Sequence, residues 1–376
     1  MITVKPVAPT KKELRKYVQF GIDIYEGNDC FVPPLVYDDV NTLLPSVNPA
    51  FDTCKAQSWM AYRDDEPVGR ITAIINTVVN ERTGSADMRF GFVDFIDDAE
   101  VVDALFKAAT DWGKQQGMTR IVGPMGFTDL DHEGMLTFGF DEMGTMATIY
   151  NYPYYPSHME RMGFQKETDY VEYRIAVPEQ IPEKYKRVAK IVENRFGLRV
   201  KTFKSKKELK TNYGKAIFDL VNEAYADLYG FSPLTPRQIN YYIDMYLGIL
   251  NLENVCIIVD KDDNLACFGV SLPSLSAALR KSKGRLFPTG WWHLMKALRG
   301  GSDVVDLLLI AASKEYQNKG ANALLFDTLI PYFNSMGFKF AETNVELEDN
   351  ENVQKQWELF ERRLHRRRRI WQKEIK

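Results

Sequence analysis

The strongest constraint on this chain is an order of elements that occurs twice. Trp112-Gly113-Lys114-Gln115-Gln116-Gly117-Met118 is matched about 220 residues later by Tyr332-Phe333-Asn334-Ser335-Met336-Gly337-Phe338. Each stretch ends a helix on a glycine and leads into a strand. In the first half, Val101/Val102, Leu105, Ala108/Ala109 and Trp112 recur at helical spacing, and Gly117 suits a left-handed C-cap. That helix follows a strand over 88–96, which follows a hairpin: Trp59 to Tyr62 and Val68 to Ile75 flank Asp64-Asp65-Glu66-Pro67. The second half gives a hairpin around Lys261-Asp262-Asp263-Asn264, then a continuous apolar strand over 304–312 of the kind buried inside a sheet. A helix over 321–336 and a strand over 338–346 complete it. The expectation is an α/β chain of two mixed-sheet repeats, 1–180 and 181–376, with strand 88–96 matching 304–312 and helix 99–116 matching 321–336.

Length agrees, since 376 residues make about two domains. With 48 basic and 51 acidic residues, net charge −3, the chain lacks the basic excess of a nucleic-acid binder, and none is expected as a partner. Six arginines between Arg362 and Arg369 then read as a solvated basic face. Cys30, Cys54, Cys256 and Cys267 form no C-x-x-C pair and the four histidines have no ligand spacing, so neither a metal nor a disulfide framework is expected. No apolar run of 18 or more residues exists and the N-terminus lacks a signal-peptide core, which predicts a cytoplasmic protein without a membrane span.

The loop Gln317-Asn318-Lys319-Gly320-Ala321-Asn322 joins the apolar strand to the second-half helix. A glycine-bearing loop that opens a helix suits a phosphate, because first-turn N–H groups lack intrahelical partners and the helix dipole is positive there. An ordinary strand–helix turn is the plain alternative. The equivalent first-half turn, Ile96-Asp97-Asp98-Ala99-Glu100, carries three carboxylates that would repel a pyrophosphate.

With these elements in this order, residues 183–376 resemble the GCN5-related N-acetyltransferase (GNAT) superfamily. Gln317 and Gly320 match its Gln/Arg-x-x-Gly-x-Gly/Ala loop, whereas Asn322 departs from the last position. The first half resembles the same fold in long tandem acetyltransferase-like bacterial proteins, through Phe92-Val93-Asp94-Phe95-Ile96-Asp97-Asp98, Gly123-Pro124, Gly134-Met135-Leu136, Gly139-Phe140-Asp141, Tyr154-Tyr155 and Gly163-Phe164. The resemblance implies two tandem GNAT-like folds. It implies acetyl-CoA or a longer acyl-CoA as co-substrate, held at residues 317–322, and a small-molecule amine or amino-acid-like acceptor.

Direct transfer needs a base to remove a proton from the acceptor ammonium. Glu342, Asn344 and Glu346 alternate along the expected strand 338–346 and would share one face. Glu342 or Glu346 is therefore the expected base, against the alternative of a polar face turned to solvent. The resemblance places the acid at a tyrosine after that strand. Here Asn350-Glu351-Asn352-Val353 leads to Trp357, and an indole cannot transfer a proton at useful pH. That departure keeps open a catalytically degenerate ligand-binding protein, and more remotely a transferase using larger acyl or aminoacyl donors. The stretch Tyr150-Asn151-Tyr152-Pro153-Tyr154-Tyr155-Pro156 reads either as cleft lining or as packing.

Overall fold

A computed structural model describes residues 1–317 and 319–375, with the backbone alone at 247–249. The elements run β1 (Ile2–Pro6), α1 (Lys11–Asp23), α2 (Val36–Thr42), β2 (Cys54–Arg63), β3 (Glu66–Asn76), α3 (Thr77–Thr83), β4 (Asp87–Phe95), α4 (Ala99–Gln115), β5 (Arg120–Gly123), β6 (Met135–Phe138), α5 (Tyr154–Arg161) and β7 (Gln165–Ala176). They continue α6 (Glu183–Phe196), β8 (Arg199–Lys201), α7 (Lys206–Ala224), α8 (Pro236–Ile249), β9 (Val255–Val259), β10 (Leu265–Pro273), α9 (Ser276–Ser282), α10 (Gly290–Leu298) and β11 (Val304–Ala312). Last come α11 (Ala321–Met336), β12 (Phe340–Thr343), β13 (Glu346–Leu347), α12 (Glu351–Gln354) and β14 (Arg362–Glu374).

The chain groups into two compact units. One holds Met1–Val171, Ser276–Leu294 and the residues from His365 onward; the other holds Glu172–Leu275 and Met295–Leu364. In the first, strand order is β1-β2-β3-β4-β5-β14. Pairings are antiparallel through β4, then parallel between β4 and β5. In the second, β8, β9, β10 and β11 pair antiparallel and β11 pairs parallel with β12. The same sequence of pairings thus appears twice, as the repeat predicts. Each copy also breaks register in its fourth strand. Arg70 faces Asp94 while Thr72 faces Gly91, and Val270 faces Leu309 while Ser271 faces Leu307. Extra residues at Phe92–Val93 and at Leu308 are β-bulges, which bend a strand and re-aim its side chains.

Alternation along β3 decides the layers of the first unit. Ile71, Ala73 and Ile75 pack with Val101, Leu105 and Ala109 of α4. Arg70, Thr72 and Ile74 face the opposite way, where Ile74 joins Leu14, Tyr17 and Val18 of α1. In the second unit α6 and α11 enclose Ile258, Ala266 and Val305 with Val192, Leu324 and Leu325.

Two local expectations are corrected. The strand over 338–346 is interrupted: β12 ends at Thr343, and β13 holds only Glu346 and Leu347. The arginines of 362–369 are not one solvated face: Arg363 is exposed, but two of the six are fully buried. They lie in β14, where Arg366 and Arg368 are 1% and 0% exposed and donate to the carbonyls of Met143 and Ile149. Arg369 pairs with Asp169 at 2.7 Å. Balanced global charge says nothing about where a local run of charge sits. Among the described residues no helix is long and apolar enough to cross a membrane, and no three His, Cys, Asp or Glu side chains group as a metal site.

Candidate functional sites

The two helices that follow the bulged strands start differently. In α4, Asp98 is the N-cap and its carboxylate accepts from the N–H groups of Glu100 and Val101, at 2.9 and 3.3 Å. Arg63 holds the same carboxylate at 2.7 Å. This N-terminus already carries its anion. In α11 the N-cap is Gly320, which has φ +86° and offers no side chain to the first turn. Gln317 turns its amide back to donate to the Ala312 carbonyl at 3.1 Å. Lys319 is exposed, its Nζ 5.3 Å from the Phe196 ring and 5.6 Å from that of Tyr316. Ala321 is buried and Asn322 half-buried, while Asn318 lies outside the described residues. The Ala323 N–H already donates to the Gly320 carbonyl at 2.9 Å, whereas those of Ala321 and Asn322 have no partner among the described residues; two such N–H groups beside a lysine suit an anion.

Gly320 is needed for two reasons. Its φ is one that side chains rarely adopt, and a Cβ would stand 2.6 Å from Val188 Cγ1 of α6. A side chain at 320 would therefore press into the helix packing.

The three residues named at the end of β12 do not form one polar row. Glu342, 8% exposed, lies 3.6 Å from the guanidinium of its cross-strand neighbour Arg174, which in turn stacks over Phe340. Asn344 leaves the strand. Its N–H donates to Leu307 O at 3.1 Å and its side-chain amide to Leu308 O at 3.3 Å, closing onto the bulge of β11. Glu346 is also 8% exposed; its Oε1 accepts from Trp357 Nε1 at 2.8 Å, while its Oε2 has no hydrogen-bond partner among the described residues. Burial pushes this carboxyl up to about 7, against hydrogen bonds from Trp357 and Thr343 that favour the charged form. A carboxylate that titrates near neutrality is suited to general base work.

A further polar centre, unforeseen in the sequence, lies in the first unit beside the bulge of β4. Arg70 Nε donates to Asp94 Oδ2 at 2.7 Å, and Arg70 also donates to the Tyr17 carbonyl at 3.1 Å. Tyr25 OH donates to Asp94 Oδ1 at 2.7 Å and lies 3.1 Å from Tyr155 OH. Gly21 makes room: any Cβ there would overlap the Arg70 guanidinium. An open cleft lies against this centre, lined by Phe31, Val32, Pro34, Asp39, Met125 and Tyr150 among others. The aromatic stretch thus contributes Tyr150 to a cleft wall, while Tyr155 is buried against Phe95. The available signal was charge inside two largely apolar strands, Arg70 in β3 and Arg89 and Asp94 in β4.

No family model matches the chain. Protein YghO of Escherichia coli (strain K12) is 27% identical over 372 residues, covering 97% of this chain and 94% of that protein. A bacterial ceramide synthase of Caulobacter vibrioides is 27% identical over 328 residues, covering 86% of this chain and 84% of that protein. Among solved structures, a tandem GNAT protein from the clavulanic acid biosynthesis pathway superposes with a TM-score of 0.58 at 12% identity, over 100% of this chain and 99% of that one. The repeated pairing order, the paired bulges and this full-length superposition agree: the chain has the fold of a tandem GNAT protein.

Proposed function

We propose that this protein is an acyl-CoA-dependent N-acyltransferase whose donor site is the loop 317–322 in the second unit. The observation that carries the reading is the contrast between two helix starts. The N-terminus of α11 is open behind Gly320, and that of α4 is closed by its own carboxylate. A pyrophosphate at α11 would accept from first-turn N–H groups, with Lys319 as its counter-charge. In the reaction a base takes one proton from the acceptor ammonium, the freed amine attacks the thioester carbonyl carbon, and the C–S bond breaks as the nitrogen gives up a second proton, which passes directly or through water to the departing sulfur, leaving an amide and a thiol. Of the two glutamates, Glu346 suits the base better, because Glu342 is tied to Arg174.

The relative named a ceramide synthase directs the choice of substrates. A ceramide is the amide of a fatty acid with a long-chain amino alcohol, so the donor to try first is a long-chain acyl-CoA and the acceptor a long-chain amino alcohol. Acetyl-CoA and amino-acid-like amines are the comparison. Calorimetric titration with acetyl-CoA and palmitoyl-CoA, followed by mass-spectrometric detection of amide, tests the reading. No binding of either donor would overturn it.

A second reading is a catalytically degenerate ligand-binding protein. Its support is Trp357, whose N–H is committed to Glu346 where the resemblance implies a proton-donating tyrosine. Donor binding with no amide formed from any amine tried would favour it.

A further inference from the structure

We propose that the cleft of the first unit is a separate binding site for a primary ammonium carried on an apolar chain, with Asp39 as its counter-ion. This goes beyond the acyl-transfer reading and rests only on residues of the first unit.

Charge decides the ligand's sign. Four ionisable groups other than tyrosines line the cleft: Asp39, Arg70, Asp94 and His132. Arg70 and Asp94 neutralise one another at 2.7 Å, and Tyr25 and Tyr155 occupy the remaining face of Asp94 at 2.7 and 3.5 Å. His132 has Nε2 2.9 Å from the Met146 carbonyl, and burial holds its pKa below the usual range, so it is neutral at pH 7. Asp39 is left over. Its half-buried carboxylate forms no hydrogen bond or ion pair among the described residues. Burial pushes it up to about 6, so at neutral pH it is ionised at a cost that a bound cation would relieve. Anionic ligands meet a net negative cleft.

The walls decide the rest of the ligand. Phe31, Val32, Pro34, Met125 and Ile149 are apolar, and apolar walls with a few convergent polar groups are how small-molecule sites fix a head group against an apolar body. A polyamine or a small hydrophilic cation would leave these walls uncovered. The cleft is open to solvent, so a chain longer than the cleft has an exit.

The test uses the full chain and octylamine, octanol and octanoate as probes, titrated by calorimetry at pH 7.5. Octylamine is expected to bind at least about tenfold more tightly than octanol, and octanoate more weakly than either. Asp39→Asn, which keeps size and removes charge, should bring octylamine down to the octanol level. Asp38→Asn, on the same helix but outside the cleft lining, should change nothing. Lys319→Glu should leave octylamine binding intact while weakening acyl-CoA binding, which separates this inference from the donor-site reading. Equal affinities for octylamine and octanol would overturn the proposal without any variant. So would wild-type octylamine affinity in a folded Asp39→Asn protein.

Discussion

Trp357 Nε1 donates to Glu346 Oε1 at 2.8 Å, joining the residue at the expected acid position to one of the two expected bases. The pair has an energetic consequence that pH exposes. The carboxyl of Glu346 is raised from 4.5 to about 7 in the folded chain. Below pH 4.5 both folded and unfolded states hold the proton. Between 4.5 and 7 the unfolded chain loses it first, so stability falls across that window, by up to roughly 3 kcal/mol. Glu346→Gln should remove that slope. Urea unfolding of both proteins at pH 4.5, 6 and 7.5 checks it; parallel curves would show that Glu346 does not titrate this way.

If Glu346 is the base, Glu346→Gln also lowers turnover by about 10²–10⁴-fold while donor affinity is unchanged. Glu342→Gln should instead disturb Arg174 and leave turnover within a few-fold of wild type. Single-turnover rates on an identified amine separate the two.

Reversing the charge of Lys319 should weaken acyl-CoA binding by about tenfold or more, since Lys319→Glu places an anion beside the proposed pyrophosphate. Asp98→Ala in the first unit should cost about 1 kcal/mol of stability through a lost N-cap and leave acyl-CoA affinity unchanged. Calorimetry and thermal unfolding on the same two variants measure both effects.

Gly320→Ala is expected to destabilise by more than about 1 kcal/mol, because it adds a positive-φ penalty to a clash with Val188. Loss of donor binding in this variant is thus informative only after thermal unfolding has shown how much of α11's packing survives. An unchanged melting temperature would mean that the loop adopts another conformation.

Truncating Arg368 to Ala should be severe, on the order of 3 kcal/mol or more. It leaves the Ile149 carbonyl without its donor and empties a fully buried site in β14. Denaturant titration reads the loss directly.

The layers of this fold were legible because apolar spacing reports burial directly. The two hairpins show why turns were equally readable: Asp64, Asp65 and Asp263 take positive φ, which Asp tolerates in tight turns. Pairing between distant strands was not legible. Arg366 and Arg368 look like solvent-facing charge until β14 is known to pair with β5 and β6, which supply neighbours from far upstream. The break after Thr343 was hidden for a related reason. The Asn344 side-chain amide N–H finds its acceptor, Leu308 O, only once the bulge of β11 is in place. The loop 317–322 could be singled out from its glycine, but the direction of a missing Cβ depends on α6 packing nearby.

The position of β14 sets an order of events during synthesis. Residues 120–123 of β5 leave the ribosome early, yet Trp371, Gln372, Lys373 and Glu374 are the partners that complete their ladder. Every residue of the second unit is translated in between. Until β14 arrives, the nascent first unit shows a bare sheet edge, the kind of surface that chaperones cover and aggregates recruit. Its buried arginines then enter as a group, bringing with them the donors for carbonyls that have waited unpaired. The first unit is thus closed only after the second has been made.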